Sequence, residues 1–208
     1  AIIAFWGAPL DLPNHATVAC YATIEMQKRS VELRKMLREQ NRPLLYTRMG
    51  LNSGPVVVGN MGSAERMDYT MMGDVVNLAA RLEGANKFYK TYSMISGSTY
   101  ELVKDDVDSR QLDIIRVVGK NEPVPVHELL ARKNETSSEM SGVVEQYLKG
   151  LKLYQDRNFA DAVKEFEKVL TIDPDDGPSQ TYVKRCAMFI ETPPEKDWDG
   201  VFTFTEKG

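Results

Sequence analysis

The chain has 208 residues, of which 42% are hydrophobic and 27% charged, a composition typical of globular proteins and not of disordered ones. Its formal net charge of −4 gives no basic footprint for nucleic acid, and no apolar run approaches the roughly 18 residues that cross a bilayer. Two distant cysteines, Cys20 and Cys186, and only two histidines exclude a disulfide framework and a zinc cluster. We therefore expect a cytoplasmic protein with reduced thiols that contacts neither nucleic acid nor a membrane.

Strand and helix patterns alternate along the first 131 residues. In chain order they predict a strand over 1–6, a helix from 13 to about 43, strands over 46–51, 56–61 and 67–72, a helix over 74–87, a strand over 94–96, a short helix ending near 103, and strands over 114–118 and 124–130. Turn residues at 52–55 favour a tight hairpin between the two strands that flank them. Those at 119–123 favour a second hairpin between the last two strands.

The composition changes at residues 132–141, a polar stretch that predicts a linker. It would divide the chain into a domain over 1–131 and a small all-α tail over 142–208. Two predicted helices over 143–174 carry the spacing of one tetratricopeptide-like repeat. The residues with this spacing are Gly150, Tyr154, Phe159, Ala162, Phe166 and Pro174. A single repeat cannot bury its own apolar face, so it must pack on another element, and a third helix over about 179–189 is the nearest one.

The predicted helix that begins at Asp74 carries a polar pair opposite its apolar stripe. Asn77 and Arg81 are four residues apart, so their side chains stack on one helix face. Asparagine is a poor residue for a helix interior, because its side chain competes for backbone hydrogen bonds. Taken alone, such a pair indicates a solvated helix face, and only the surrounding sequence gives it another meaning.

That surrounding sequence consists of two strings, RMGLNSGPVVVGNMG at 48–62 and YTMMGDVVNLAARLE at 69–83. Together they closely resemble the central motifs of class III adenylyl and guanylyl cyclases. The segments AIIAFWG at 1–7 and VGKNEPV at 118–124 match the same family in the same order. The resemblance covers about residues 1–131, and four motifs in one order make it specific.

The resemblance implies a role for four residues. Asn77 would orient the ribose, and Arg81 would stabilise the negative charge that grows on the α-phosphate as the ribose 3′-hydroxyl attacks. Thr70 matches the position that reads the purine edge, where a hydroxyl can serve the amino group of adenine but excludes guanine less firmly. Lys120 matches the lysine that contacts the terminal phosphates, although a lysine in a hairpin is by itself usually only solvated.

The resemblance also implies parts that precede this sequence. The family uses two divalent cations, Mg or Mn, whose aspartates lie on the first strand of the domain and directly before the strand that opens this chain. We therefore expect the cation ligands upstream of Ala1, no metal ligand within this chain, and no turnover by these 208 residues alone. The predicted elements suggest an α+β fold, with a ferredoxin-like, antiparallel-rich sheet and helices on one face, whose core is incomplete at the N-terminus.

In this family the site lies between two protomers, so the resemblance implies a homodimer with shared active sites and ATP as the substrate. The main hypothesis is an adenylate cyclase that forms 3′,5′-cyclic AMP and pyrophosphate. One alternative is a non-catalytic regulatory or scaffold module with a degenerate cyclase fold, which would have no need of Asn77 and Arg81. A second alternative is a guanylate cyclase. The tail resembles the C-terminal extension of some bacterial membrane-anchored sensor cyclases, which suggests a membrane anchor in the parent protein.

Overall fold

A computed structural model describes residues 2–63, 65–116 and 122–203 of the chain. The helices are α1 (His15–Glu39), α2 (Asp74–Tyr89), α3 (Gly97–Val103), α4 (Ser138–Gln155), α5 (Phe159–Ile172) and α6 (Gly177–Glu191). The strands are β1 (Met49–Leu51), β2 (Val57–Gly62), β3 (Met67–Met72), β4 (Ser93–Ser96), β5 (Val107–Arg116), β6 (Val124–Arg132) and β7 (Phe202–Thr203). Within the described residues, no helix combines the length and hydropathy needed to cross a bilayer.

Five of these strands form one sheet in the order β1-β4-β6-β5-β7. The central pairs, β4 with β6 and β6 with β5, are antiparallel, whereas β1 and β7 run parallel to their neighbours at the two edges. Strands β2 and β3 form a separate antiparallel hairpin. The predicted α+β class with an antiparallel-rich sheet is therefore confirmed.

The predicted hairpin around residues 52–55 is wrong. Strand β1 pairs with β4, and β2 pairs with β3 instead. The side chain of Asn52 explains why the chain does not turn back here, because it is anchored at two distant places. Its amide donates to the carbonyl oxygen of Val75 at 3.0 Å, and its carbonyl oxygen accepts from the hydroxyl of Ser96 at 2.6 Å.

The strand predicted over residues 1–6 is also not formed over residues 2–5. A strand needs a neighbour that satisfies its backbone donors and acceptors, and this segment pairs with no strand in the described parts of the chain. Its side chains remain largely outside the core, with Ile2 98% and Ile3 68% exposed. An apolar, β-rich composition was therefore not sufficient to predict a strand.

Helices cover both faces of the sheet, so the prediction that they lie on one face is wrong in that detail. Successive residues of a strand point to opposite faces. In β4, Ile95 packs in a cluster with Cys20 of α1, whereas its neighbour Met94 packs in a cluster with Leu82 of α2. Every residue of β4 is buried. A strand buried on both sides needs a layer of helices on each.

The three C-terminal helices pack on the same face as α2 and share its hydrophobic cluster. Tyr147 of α4 and Tyr182 of α6 both donate their hydroxyls to the carbonyl oxygen of Leu112 in β5. Within the predicted linker, β6 continues to Arg132, and Ser137 caps α4 by accepting from the amide of Met140. The domain boundary at 132–141 stays a prediction.

Candidate active site

Helix α2 lies directly against the sheet because β1 has a glycine where the two elements cross. A Cβ atom on Gly50 would overlap the backbone of α2 at the carbonyl oxygen of Ala79 and the amide nitrogen of Glu83. On the same side of the helix, Leu78 and Leu82 are buried in the core. The position of α2 on the sheet is therefore set by backbone contact, which leaves little freedom for the helix to shift.

The other face of α2 carries Asn77 and Arg81. Asn77 is exposed and Arg81 is half-buried. The Nη1 atom of Arg81 is buried and has no hydrogen-bond partner among the described residues. Buried guanidinium nitrogens are nearly always paired, because leaving one unpaired loses the hydration that it had in water. Arg81 is only half-buried, so part of its side chain stays accessible, and a guanidinium pairs well with phosphate oxygens.

Thr70 lies on the hairpin that leads into α2. It is half-buried in β3 and pairs with Gly59 of β2, next to which there is open space. Only Met71, Met72 and Gly73 separate Thr70 from the start of the helix, so the hairpin and α2 form one continuous unit. Lys120 lies outside the described residues.

Asn52, which the sequence places in a turn, connects three elements of this region. Its side-chain oxygen accepts from Ser96 and, at 3.0 Å, from the hydroxyl of Ser98, while its amide holds the first turn of α2 at Val75. The N-terminal end of α2 is therefore tied to the ends of β1 and β4. Sequence periodicity contains no signal for this contact, because the serines follow Asn52 by more than 40 residues.

A cavity of about 370 Å³ lies between the N-terminal segment, α1, β1, the β2–β3 hairpin and α2. Its walls are mainly apolar, with Asp11, His15 and Asn52 among the polar residues that line it. Neither Asn77, Arg81 nor Thr70 lines this cavity. The structure thus brings Asn77 and Arg81 onto one helix face but does not enclose them within the described part of this single chain.

Metal-binding side chains are not gathered at this site. Over residues 2–63, 65–116 and 122–203, no group of three or more His, Cys, Asp or Glu side chains is arranged to hold a metal ion. The family resemblance implies two aspartates, which would not form a group of three, so the source of the cation ligands stays a prediction.

The chain is similar to a known protein family and to named relatives. The family described as "Adenylate and Guanylate cyclase catalytic domain" matches residues 5–131. Adenylate cyclase 1 of Rhizobium meliloti is 35% identical over 130 residues, which cover 62% of this chain and 20% of the relative. The terminal-differentiation specific adenylate cyclase of Dictyostelium discoideum is 31% identical over 150 residues, which cover 70% of this chain and 7% of that relative. The chain therefore spans a fifth or less of the length of these relatives.

Solved structures give the same picture of the fold. The adenylyl cyclase CyaB from P. aeruginosa is 33% identical with a TM-score of 0.56, and the match covers 64% of this chain and 68% of that one. The guanylyl cyclase Cya2 is 29% identical with a TM-score of 0.54, and the match covers 64% of this chain and 66% of that one. Because the two similar structures are named for different nucleotides, the likeness of the fold does not discriminate between ATP and GTP.

Proposed function

Because this chain belongs to the adenylate and guanylate cyclase catalytic domain family, we propose that it is part of an adenylate cyclase, which converts ATP to 3′,5′-cyclic AMP and pyrophosphate. The observation that carries the proposal is that Asn77 and Arg81 lie on one face of α2, outside its buried stripe and within the residues that the family matches. The choice of ATP is supported by the adenylate cyclases at 35% and 31% identity.

The proposed chemistry is a displacement at phosphorus. The 3′-oxygen of the ribose bonds to the α-phosphorus and gives its proton to water, while the bond from the α-phosphorus to the bridging oxygen breaks and pyrophosphate leaves. Negative charge builds on the α-phosphate oxygens, and the planar donor fork of Arg81 stabilises that charge. Asn77 hydrogen-bonds near the ribose and holds its hydroxyl in line for attack. Such catalysis rests on positioning and charge stabilisation, which these two side chains can supply.

Two further residues belong to the proposed nucleotide site. Thr70 would read the purine edge from the hairpin that precedes α2, and Lys120 would contact the terminal phosphates. The hydroxyl of Thr70 can both donate and accept, so it serves adenine but rejects guanine only weakly. For this reason a guanylate cyclase remains the second candidate, supported by the likeness to the guanylyl cyclase Cya2.

The proposal includes a homodimer with shared sites. Asn77 is exposed and lies outside the cavity of this chain, which suits a site completed by a second protomer. Two divalent cations, Mg or Mn, would lower the barrier by neutralising the triphosphate. In this proposal the partner protomer supplies the carboxylate ligands of the cations.

We also propose that α4 and α5 form one tetratricopeptide-like repeat. The support is the close packing of the two helices, in which the ring of Phe166 lies against Gly150 and Tyr154 contacts Phe159 edge to face at 5.7 Å. The apolar face of this pair is covered by α6 and the sheet.

The experiment that tests the function is product analysis with a longer protein that contains this chain and the sequence before it. ATP and GTP are supplied separately with Mg or Mn, and the products are separated by chromatography. We expect cyclic AMP from ATP, and much less cyclic GMP from GTP. Cyclic GMP as the main product would favour the second candidate, and no cyclic nucleotide from either substrate would contradict both.

A further inference from the structure

The C-terminal helices, which lie beyond the residues of the family match, hold the end of the helix that carries Asn77 and Arg81. The hydroxyl of Thr181 in α6 donates to the carbonyl oxygen of Phe88 at 2.8 Å. Lys90, directly after α2, donates to the side chain of Gln180 at 2.6 Å. A Cβ atom on Gly177 would lie 2.5 Å from the carbonyl oxygen of Tyr89. The start of α6 therefore packs on the last turn of α2 at backbone distance.

A buried carboxylate joins the same two helices a second time. One oxygen of Asp113 in β5 accepts from the hydroxyl of Tyr89 at 2.6 Å and from the guanidinium of Arg185 in α6, also at 2.6 Å. The exposed fractions of Tyr89, Asp113 and Arg185 are 0%, 1% and 6%. One acceptor atom thus connects α2, the sheet and α6 in the interior of the molecule.

An irregularity in β5 creates this connection. The pairing of β5 with β6 shifts register between Gln111 and Asp113, so Leu112 is an extra residue without a partner in β6. A bulge of this kind frees a backbone group from the ladder and redirects the neighbouring side chains. The freed carbonyl oxygen of Leu112 accepts from Tyr147 and Tyr182 at 2.8 and 3.0 Å. The bulge is therefore the place where the C-terminal helices attach to the sheet.

The chemistry of this cluster makes its parts depend on each other. Burial raises the pKa of Tyr89 well above its usual value, so the hydroxyl stays protonated and can donate. A buried carboxylate is tolerated only while it is paired, and Arg185 is its charged partner. When one partner of a buried network is lost, the remaining groups rearrange. A change at Arg185 is therefore transmitted through Asp113 to Tyr89 and the last turn of α2.

We propose that the C-terminal helices set the position of α2, and that Arg185 is a positioning residue for Arg81 that acts through Asp113 and Tyr89. This rests on the proposed function, in which Arg81 meets the reacting phosphate. Arg81 and Tyr89 are eight residues apart, roughly 12 Å along the helix axis, within one rigid element. A displacement of about 1 Å at a reacting centre can cost on the order of a hundredfold in rate.

The first test is amide hydrogen exchange on the 208-residue chain with two matched variants. Tyr89→Phe and Tyr147→Phe each remove one buried hydroxyl that donates beside the bulge, but only Tyr89 belongs to α2. We expect the last turns of α2 to exchange about tenfold faster in Tyr89→Phe than in the parent, and Tyr147→Phe to leave them within about twofold. The proposal would be overturned if the exchange rates in the last turns of α2 changed equally in both variants, or did not change in Tyr89→Phe.

The second test is the steady-state rate of the longer protein. We expect Tyr89→Phe to lower kcat about tenfold with KM within about twofold, and Tyr147→Phe to retain the parent kcat. Arg185→Lys should retain more of kcat than Arg185→Met, since it keeps a charge beside Asp113. An equal kcat for Tyr89→Phe and Tyr147→Phe would overturn the positioning role. If the parent makes no cyclic nucleotide, the proposed function fails while the exchange result still decides whether the bond from Tyr89 to Asp113 holds the last turns of α2.

Discussion

Arg81 carries a buried nitrogen, Nη1, that has no hydrogen-bond partner among the described residues. Leaving a buried polar nitrogen unpaired costs about 1–3 kcal/mol of folding free energy. Nothing in the described residues offsets that cost at Nη1. The guanidinium of Arg81 is therefore expected to contribute little to the stability of the free protein.

This reading predicts that Arg81→Met does not destabilise the protein. The variant removes an unpaired buried group and keeps most of the apolar stem, so we expect the free energy of unfolding to stay within about 0.5 kcal/mol of the parent or to rise. Arg185→Met is the matched control, since it breaks a buried ion pair with Asp113 and should cost about 3–5 kcal/mol. Urea titration of the 208-residue chain measures both. A comparable loss in both variants would contradict the reading.

His127 predicts a dependence of stability on pH. Burial lowers its pKa to about 4, whereas the nearby Glu101 acts in the opposite direction with less effect. Its ring stacks on that of Tyr100 at 4.0 Å, and its Nδ1 atom has no partner among the described residues. The folded protein therefore keeps His127 neutral at pH values where the unfolded chain binds a proton.

The unfolding free energy should consequently fall as the pH drops from about 6.5 to 4, by up to about 3 kcal/mol from this residue. His127→Phe keeps the stacked ring and cannot bind a proton, so the difference between parent and variant isolates the effect. We expect that difference to change across this window when both are unfolded by urea at several pH values. A constant difference from pH 7 to 4 would show that His127 does not titrate as described.

At the scale of elements, α2 is fixed at three places: Asn52 at its start, Gly50 along its length and α6 at its end. Contacts at these three places hold the helix in one position on the sheet. A catalytic pair carried by a helix gains precision from such support. The helix is therefore the part of the structure whose placement matters most for the proposed chemistry.

Gly50→Ala should disturb that placement. Its added methyl group would overlap the backbone of α2, so we expect a loss of about 1–3 kcal/mol or more in the free energy of unfolding. Gly142→Ala is the control, because Gly142 lies exposed in α4 with open space around its Cβ position. It should stabilise the protein by about 0.5–1 kcal/mol through helix propensity. Equal effects of the two substitutions on urea unfolding would refute the contact between Gly50 and α2.

Elements with a local signal were predictable from the sequence. The apolar stripe and polar pair of α2, and the β5–β6 hairpin, follow from residue periodicity and turn composition. The predicted pairing of β1 was wrong because its partner, β4, begins 44 residues after the start of β1. No local sequence pattern encodes a pairing over that distance. The same limit applies to Asp113 and Arg185, which are 72 residues apart. The sequence could place Asn77 and Arg81 on one face of a helix, but it could not predict the contacts that hold that helix.

At the scale of the whole molecule, a sheet with helices on both faces carries a helix whose polar face remains open. In the proposal this face contributes an arginine and an asparagine to the nucleotide site, and the carboxylates for the cations are a separate contribution. In the proposed homodimer, each site takes these two contributions from different protomers. A dimer of one chain that lacks Arg81 and one chain that lacks the carboxylates should therefore contain one complete site.

Mixing experiments test this arrangement in the longer protein. Arg81→Ala and a variant without the cation-binding carboxylates should each be nearly inactive alone. With random pairing, half of the dimers contain one chain of each kind, and one of their two sites is intact. We expect about a quarter of the parent activity from an equal mixture that has been allowed to exchange subunits. No recovery, with exchange confirmed by differential tags, would contradict the shared site.

The turnover number of Arg81→Ala in the longer protein tests the account most directly. We expect kcat for cyclic AMP formation to fall about 10²–10³-fold, since the side chain stabilises charge that develops only in the transition state. Arg38→Ala, at an exposed position near the end of α1, is the control and should keep the parent kcat. If Arg81→Ala turned over ATP as fast as Arg38→Ala, the guanidinium on α2 would have no part in the reaction.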